Sequence, residues 1–399
     1  NTEAQFIISG SKSISQRVLI INYLSDFNKD IENLSNSDDT NVLYNALCCG
    51  DSIIDVKHSG TALRFLISVF ALKKTKITLT GSKHLFNRPV VPLIESLNSL
   101  GASISKNENK IYLKTSNLVG SVLNLDCMYT SQFISSLLLI SPYLKNGITL
   151  NLPKKIYSKS YIDMTVALMK KCGAKIIANN NIINVSNHKY SSNLQFIESD
   201  WTSASYLFLA FLFSKLNAIT ISKLYPHSMQ KDQVIVDFFA LLGVITVFDN
   251  NGSIILKKIT NVILPSKIEW NFINNPDLFP TIAVACFGLG VKLVASGLRT
   301  LAYKESNRTI AMQSELSKFN CIYHIESKDV VSMKPKLKNN ILNEAILIDT
   351  HNDHRIALAF SPLVLLGWKL KICNPEVINK SYRNFWHDLR KFGIEIKCF

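Results

Sequence analysis

None of the eight cysteines stands in a C-x-x-C pair. Cys48 and Cys49 are adjacent, while Cys127, Cys172, Cys286, Cys321, Cys373 and Cys398 are spread among apolar or mixed neighbours. That spacing supports neither a zinc site nor a disulfide framework, and it points to reduced thiols in a cytoplasmic protein. No apolar run reads as a membrane span; the stretch 204–216 is too short. No signal-like segment opens the chain, so no membrane association is expected. Long basic runs are also missing. The densest local group is Lys73, Lys74 and Lys76, and this scatter argues against a nucleic-acid partner. Gly10-Ser11-Lys12-Ser13 lacks the earlier glycine of a Walker A loop. His351-x-x-His354 with Asp349 and Asp353 lacks a further ligand cluster, and Arg355 beside it repels cations, so no metal is expected.

What is present describes a well-packed protein of 399 residues, with 47% hydrophobic and 18% charged residues. That length exceeds one core and implies two or three domains. A net charge of +15 predicts affinity for anions: nucleic acid, acidic lipid or a phosphorylated metabolite.

One pattern recurs along the chain. A helical segment ends near Gly101, Gly173, Gly243, Asn320 or Gly393, and a short strand, a polar turn and a second strand follow. Glycine, and next to it asparagine, suits the left-handed position that ends a helix. The intervals of 70–77 residues are too long for a simple solenoid and fit two domains of three units. Gly50 is read as closing a shorter first copy.

Polar clusters sit where small residues lead into apolar helical segments. The first is Ser9–Arg17, where Ser11 or Ser13 caps a helix and Lys12 and Arg17 add charge beside its positive end. These residues suit an anion site or an ordinary capped helix. His58-Ser59-Gly60-Thr61-Ala62-Leu63-Arg64 repeats the theme, and Arg88 precedes Pro89, placed in a helix first turn. Thr130-Ser131-Gln132 offers hydroxyl and amide groups for a polyol, and Ser158–Tyr161 opens a further helix. In the second half carboxylates join the cations: Asp277; Lys304-Glu305-Ser306-Asn307-Arg308; Asp353-His354-Arg355; and Lys380. A carboxylate among cations is either a surface ion pair or an acid/base candidate.

Taken in this order, these motifs resemble the enolpyruvyl transferases, specifically the 5-enolpyruvylshikimate-3-phosphate synthase (3-phosphoshikimate 1-carboxyvinyltransferase) family. The resemblance implies an α/β (α+β) fold of two domains, each of three βαβαββ units with pseudo-threefold symmetry. It implies one domain from 12–198, binding much of shikimate 3-phosphate. The other, 1–11 with 199–399, would supply Asp277, Glu305 and the phosphoenolpyruvate-binding cations. The implied reaction joins the 5-hydroxyl of shikimate 3-phosphate to phosphoenolpyruvate and releases phosphate, without metal or organic cofactor. By resemblance Lys12, Asp277 and Glu305 are catalytic, Glu305 exchanging the methylene proton and Asp277 accepting the hydroxyl hydrogen. Lys12, Ser13, Arg17, Thr130, Ser131, Gln132, Ser158, Tyr161, Asp277 and Lys304 would bind shikimate 3-phosphate. Lys12, Gly60, Arg88, Gln132, Arg308, Arg355 and Lys380 would bind phosphoenolpyruvate. A monomer with domains that close on substrate is expected, and Gly60 implies sensitivity to glyphosate.

Some positions depart from the family pattern: His58 and Thr300 replace asparagines, Thr130 a serine and Asn307 an aspartate, and Phe65 is bulkier than usual near the phosphoenolpyruvate pocket. Two other functions compete. Enolpyruvyl transferases acting on UDP-N-acetylglucosamine carry a cysteine in the loop before Arg-Pro, and Gly81–Arg88 here has none. A basic RNA-binding protein would group aromatic and basic residues, which this chain does not do.

Overall fold

The computed structural model describes residues 3–25, 30–73, 76–114, 117–125, 130–192, 194–336 and 344–397. Cys127, Cys398 and Lys74 lie outside the described residues. The chain divides into two compact units, with boundaries after Gly10 and after Ile197. The N-terminal unit is the continuous stretch between them, and the C-terminal unit combines the first residues with everything from Glu198 onward.

In the N-terminal unit, strand Ile53–Asp55 lies parallel to Ile77–Thr80, which pairs antiparallel with Lys110–Lys114 and so reaches Ser103–Asn107. Alternation explains the strand character: Ile77 and Leu79 are buried, while Thr78 and Thr80 are half-buried. A second sheet repeats this order with Val122–Asn124, Ile148–Asn151, Ile182–Val185 and Ile176–Asn179. The helices Gly60–Ala71 and Ser131–Ile140 join the parallel pairs. Both are apolar almost all round because they pack on each other, and Lys12–Ser25 and further helices cover their other sides.

The C-terminal unit builds the same sheet twice. One has the order Glu3–Ile7, Ala218–Ser222, Ser253–Lys258, Val244–Phe248; the other Lys267–Asn271, Lys292–Ser296, Val330–Lys334, Ile322–Ile325. The buried helices Trp201–Phe213, Phe279–Leu289 and His354–Phe360 pack together at its centre. Burying each large apolar side chain there contributes about 1.5–3 kcal/mol. The chain thus has the expected α/β architecture. Among the described residues, four of the six expected units carry the full sheet, one keeps the parallel pair Ile346–Ile348 and Leu370–Ile372, and one keeps a single bridge between Glu32 and Phe196.

The repeat signal is a backbone signal. Gly101, Gly173, Gly243, Gly393 and Asn320 all have left-handed φ angles, from +60° to +101°. Gly50 does not, so the helix Asp38–Cys48 ends differently. Pro89 also departs from expectation: the following helix is Val91–Ser99, with Pro92 in its first turn, and Pro89 instead gives its carbonyl to Arg64.

These glycines make a graded stability test. A Cβ on Gly173 would lie 2.1 Å from Ser191 Oγ at φ +95°, whereas Gly393 has φ +84° with open space, and Gly50 has open space and no left-handed φ. Denaturant titration should find Gly50→Ala within about 0.5 kcal/mol of wild type, Gly393→Ala about 1 kcal/mol less stable, and Gly173→Ala worse than both.

Candidate active site

In the C-terminal unit, three separate chain segments meet at one guanidinium. Arg308 opens the helix Arg308–Ser317 and is fully buried. Its Nε donates to Asp353 Oδ2 at 2.9 Å, Nη1 to Asp277 Oδ1 at 2.9 Å, and Nη2 to Glu305 Oε2 at 3.0 Å and Asp353 Oδ1 at 3.2 Å. Asp353 can face it because its own oxygen caps the helix His354–Phe360, accepting the Arg355 N–H. Asp277 sits in the turn Pro276–Leu278 that leads into Phe279–Leu289.

The other expected cations join this array. Lys304 Nζ lies 3.3 Å from Asp277 Oδ1, Arg355 Nη2 lies 2.9 Å from Asp277 Oδ2, and Lys380 Nζ lies 3.1 Å from Glu305 Oε1. Arg355 is further fixed by the buried Tyr206 hydroxyl, 3.1 Å away. Four cations therefore share three carboxylates, and each carboxylate serves a different subset. Burial alone would raise the Asp277 carboxyl, but Arg355, Lys304 and Arg308 outweigh it and hold the group well below the usual range. Burial lowers the Lys304 ammonium despite Asp277 beside it. Burial pushes the Tyr206 hydroxyl up to about 12, so it remains a proton donor at neutral pH.

The N-terminal unit arranges its polar groups at helix starts. Ser11 Oγ accepts from the Ile14 N–H at 3.4 Å, and Lys12 Nζ lies 3.3 Å from Asp39 Oδ2. Arg17 is buried and donates to Thr165 Oγ1 at 2.7 Å, the Ser13 carbonyl at 2.7 Å, Ser135 Oγ at 3.3 Å and the Tyr161 carbonyl at 3.3 Å. Its guanidinium lies 5.5 Å from the Phe65 ring centroid, so Phe65 packs beneath Arg17. Burial lowers Arg17 to about 10, which leaves it charged at neutral pH. A second group forms around Arg64, which donates to the Gly60 carbonyl at 2.9 Å, Gln132 Oε1 at 2.9 Å and the Pro89 carbonyl at 2.7 Å. Gln132 Nε2 donates on to Thr61 Oγ1 at 2.9 Å. Arg88 lies against Gly60, where an added Cβ would stand 2.6 Å from its Nη1. Thr130 caps the helix that begins with Ser131, accepting the Gln132 N–H. Ser158 precedes the helix Lys159–Lys171 in a left-handed conformation (φ 57°), a strained position for a serine.

A sequence profile of EPSP synthase (3-phosphoshikimate 1-carboxyvinyltransferase) matches residues 43–389. The chain belongs to the EPSP synthase family. It is 36% identical to the 3-phosphoshikimate 1-carboxyvinyltransferase of Bacteroides fragilis strain YCH46, over 99% of this chain and 96% of that one. With the protein of the same name from Buchnera aphidicola subsp. Cinara cedri it shares 33% identity, over 95% and 92%. The EPSP synthase of Acinetobacter baumannii has the same fold, with a TM-score of 0.74 at 18% identity, over 98% of this chain and 95% of that one.

Several supporting residues at these clusters escaped sequence reading. Asp39 holds Lys12, Ser135 and Thr165 hold Arg17, and Tyr206 holds Arg355, all from distant segments. Arg64, which holds Gln132, stands inside a motif that the sequence does single out. Among the departures, His58 is exposed, and Asn307 accepts from Thr309 Oγ1 at the start of Arg308–Ser317. Thr300 is buried, and among the described residues its hydroxyl has no hydrogen-bond partner.

Asp232 was also missed. It is buried, accepts from Asn275 Nδ2 at 3.0 Å and from Thr202 Oγ1, and feels the charges of Asp277 and Arg355. Burial, aided by Asp277, raises it from 3.8 to about 6. Because the folded state binds this proton more tightly, its contribution to stability is present below the unfolded value and lost as pH rises to about 6. Asp232→Asn keeps both hydrogen bonds by donating to Thr202. The stability of wild type relative to this variant should fall between pH 4 and 6, by on the order of 2 kcal/mol. Denaturant titrations of both proteins across that range check this, and a flat difference excludes it.

Proposed function

We propose that the chain transfers the enolpyruvyl group of phosphoenolpyruvate to the 5-hydroxyl of shikimate 3-phosphate, releasing phosphate, in the cytoplasm. The carrying observation is that two carboxylates, Asp277 and Glu305, are tied to cations that phosphate and carboxylate ligands would also bind. Substrate anions entering this array compete with Asp277 and Glu305 for Lys304, Arg308, Arg355 and Lys380. As the cations turn to the ligand, both carboxylates lose their strongest partners and become more basic. Binding thus arms the two groups that must move protons.

In the addition step the 5-oxygen bonds to C2 of phosphoenolpyruvate. Asp277 takes the hydroxyl proton, and Glu305, having taken up a proton from water once its cations turn to the ligand, delivers it to the methylene carbon. In the elimination step Glu305 takes a methyl proton back as the C2–O bond to phosphate breaks, and Lys12 neutralises the departing phosphate. Arg88, Gln132, Arg308, Arg355 and Lys380 hold phosphoenolpyruvate. Ser13, Arg17, Thr130, Ser131, Gln132, Ser158, Tyr161 and Lys304 hold shikimate 3-phosphate. The fixed hydrogen bonds of Arg17 and Gln132 support this reading, since preset donors need little reorganisation when an anion arrives.

Purified protein given shikimate 3-phosphate and phosphoenolpyruvate should release inorganic phosphate, and UDP-N-acetylglucosamine should not replace the acceptor. No release from the first pair overturns the reading. Glu305→Gln keeps the shape but cannot exchange the proton, so kcat should fall at least about 100-fold with KM values within a few-fold. Gly60→Ala forces Arg88 away from its present place. Steady-state kinetics should show the KM for phosphoenolpyruvate raised by about tenfold, with kcat changed far less.

A further inference from the structure

We propose that Glu315 is a positioning residue for Asp353 and Arg355. Glu315 is fully buried on the helix Arg308–Ser317, seven residues after Arg308 and so on the same face two turns along. Its Oε2 accepts the Asp349 main-chain N–H at 3.1 Å and pairs with Lys318 Nζ at 2.5 Å. Its Oε1 accepts from Ser314 Oγ at 3.3 Å and lies 3.0 Å from His351 Nε2. The helix therefore grips one short segment on both sides: Glu315 holds Asp349 and His351, and Arg308 holds Asp353.

The residues between those grips explain why two are needed. His351 and Asn352 are consecutive left-handed residues, at φ 51° and 54°, and neither has the conformational freedom of glycine. Such backbone persists only where its surroundings over-determine it. Directly beyond it, Asp353 caps the next helix, and Arg355 reaches Asp277 and Tyr206. Releasing Glu315 lets the strained pair relax and shifts Arg355 through the main chain, without touching Arg355 itself. The consequence for phosphoenolpyruvate rests on the proposed reaction; the restraint on the segment does not.

Two measurements separate these parts. In Glu315→Ala, hydrogen exchange of the 349–355 amides should quicken by about tenfold. The KM for phosphoenolpyruvate should rise by about tenfold, with that for shikimate 3-phosphate within about twofold. Glu315→Gln keeps an oxygen for the Asp349 N–H and should recover most of both effects, while Lys318→Ala should leave both near wild type. Should Glu315→Ala not fold, His351→Gly, altered at a part-exposed side chain, should show the same two changes. Unaltered exchange overturns the inference, as do equal KM rises for both substrates. Wild-type protein that releases no phosphate overturns the proposed reaction instead, and the exchange result then still decides the restraint.

Discussion

A fully buried guanidinium shared by three carboxylates sets the arrangement of the C-terminal unit. Taking such an ion out of water costs several kcal/mol, and only good geometry on every side offsets that. Arg308 meets the demand because its planar fork points Nε, Nη1 and Nη2 at Asp353, Asp277 and Glu305. Loss of one partner from such an array typically costs about 3–5 kcal/mol. The start of Arg308–Ser317, the cap of His354–Phe360 and the turn at Asp277 must therefore stay in register. The pairing that stabilises the fold also stores the two proton-moving groups of the proposed reaction in an inert form.

The N-terminal unit treats its buried arginine differently. Arg17 is held by hydroxyls, main-chain carbonyls and an aromatic face rather than by carboxylates. Neutral acceptors fix its position but leave its charge uncancelled, and that charge acts through a low-dielectric interior. One unit thus presents carboxylates in a cation clamp, and the other presents positive charge. Both put their polar groups at helix starts, where backbone N–H groups point outward. Left-handed non-glycine backbone also occurs beside two of these starts, at Ser158 and at His351 with Asn352.

Much of this was legible in the sequence because its signals are local. Gly101, Gly173, Gly243, Asn320 and Gly393 announce left-handed helix ends, since the backbone conformation restricts the residue type. The motif order identified the family, and the cations Lys304, Arg308, Arg355 and Lys380 proved to share the carboxylates Asp277, Glu305 and Asp353. Gly50 and Pro89 misled, because a glycine need not be left-handed and either of two nearby prolines could open the helix.

By itself the sequence determined most of the helix ends, the α/β alternation and which residue types could meet anions, because each depends on neighbours within a few positions. Tertiary structure alone decided which carboxylate pairs with which cation. Asp232 beside Asn275, Tyr206 on Arg355 and Glu315 under His351 join residues 36 to 149 positions apart. Contacts of that range leave no periodicity in the chain. They form only when packed helices bring distant side chains into a dry interior, where an unpaired charge would be too costly to keep.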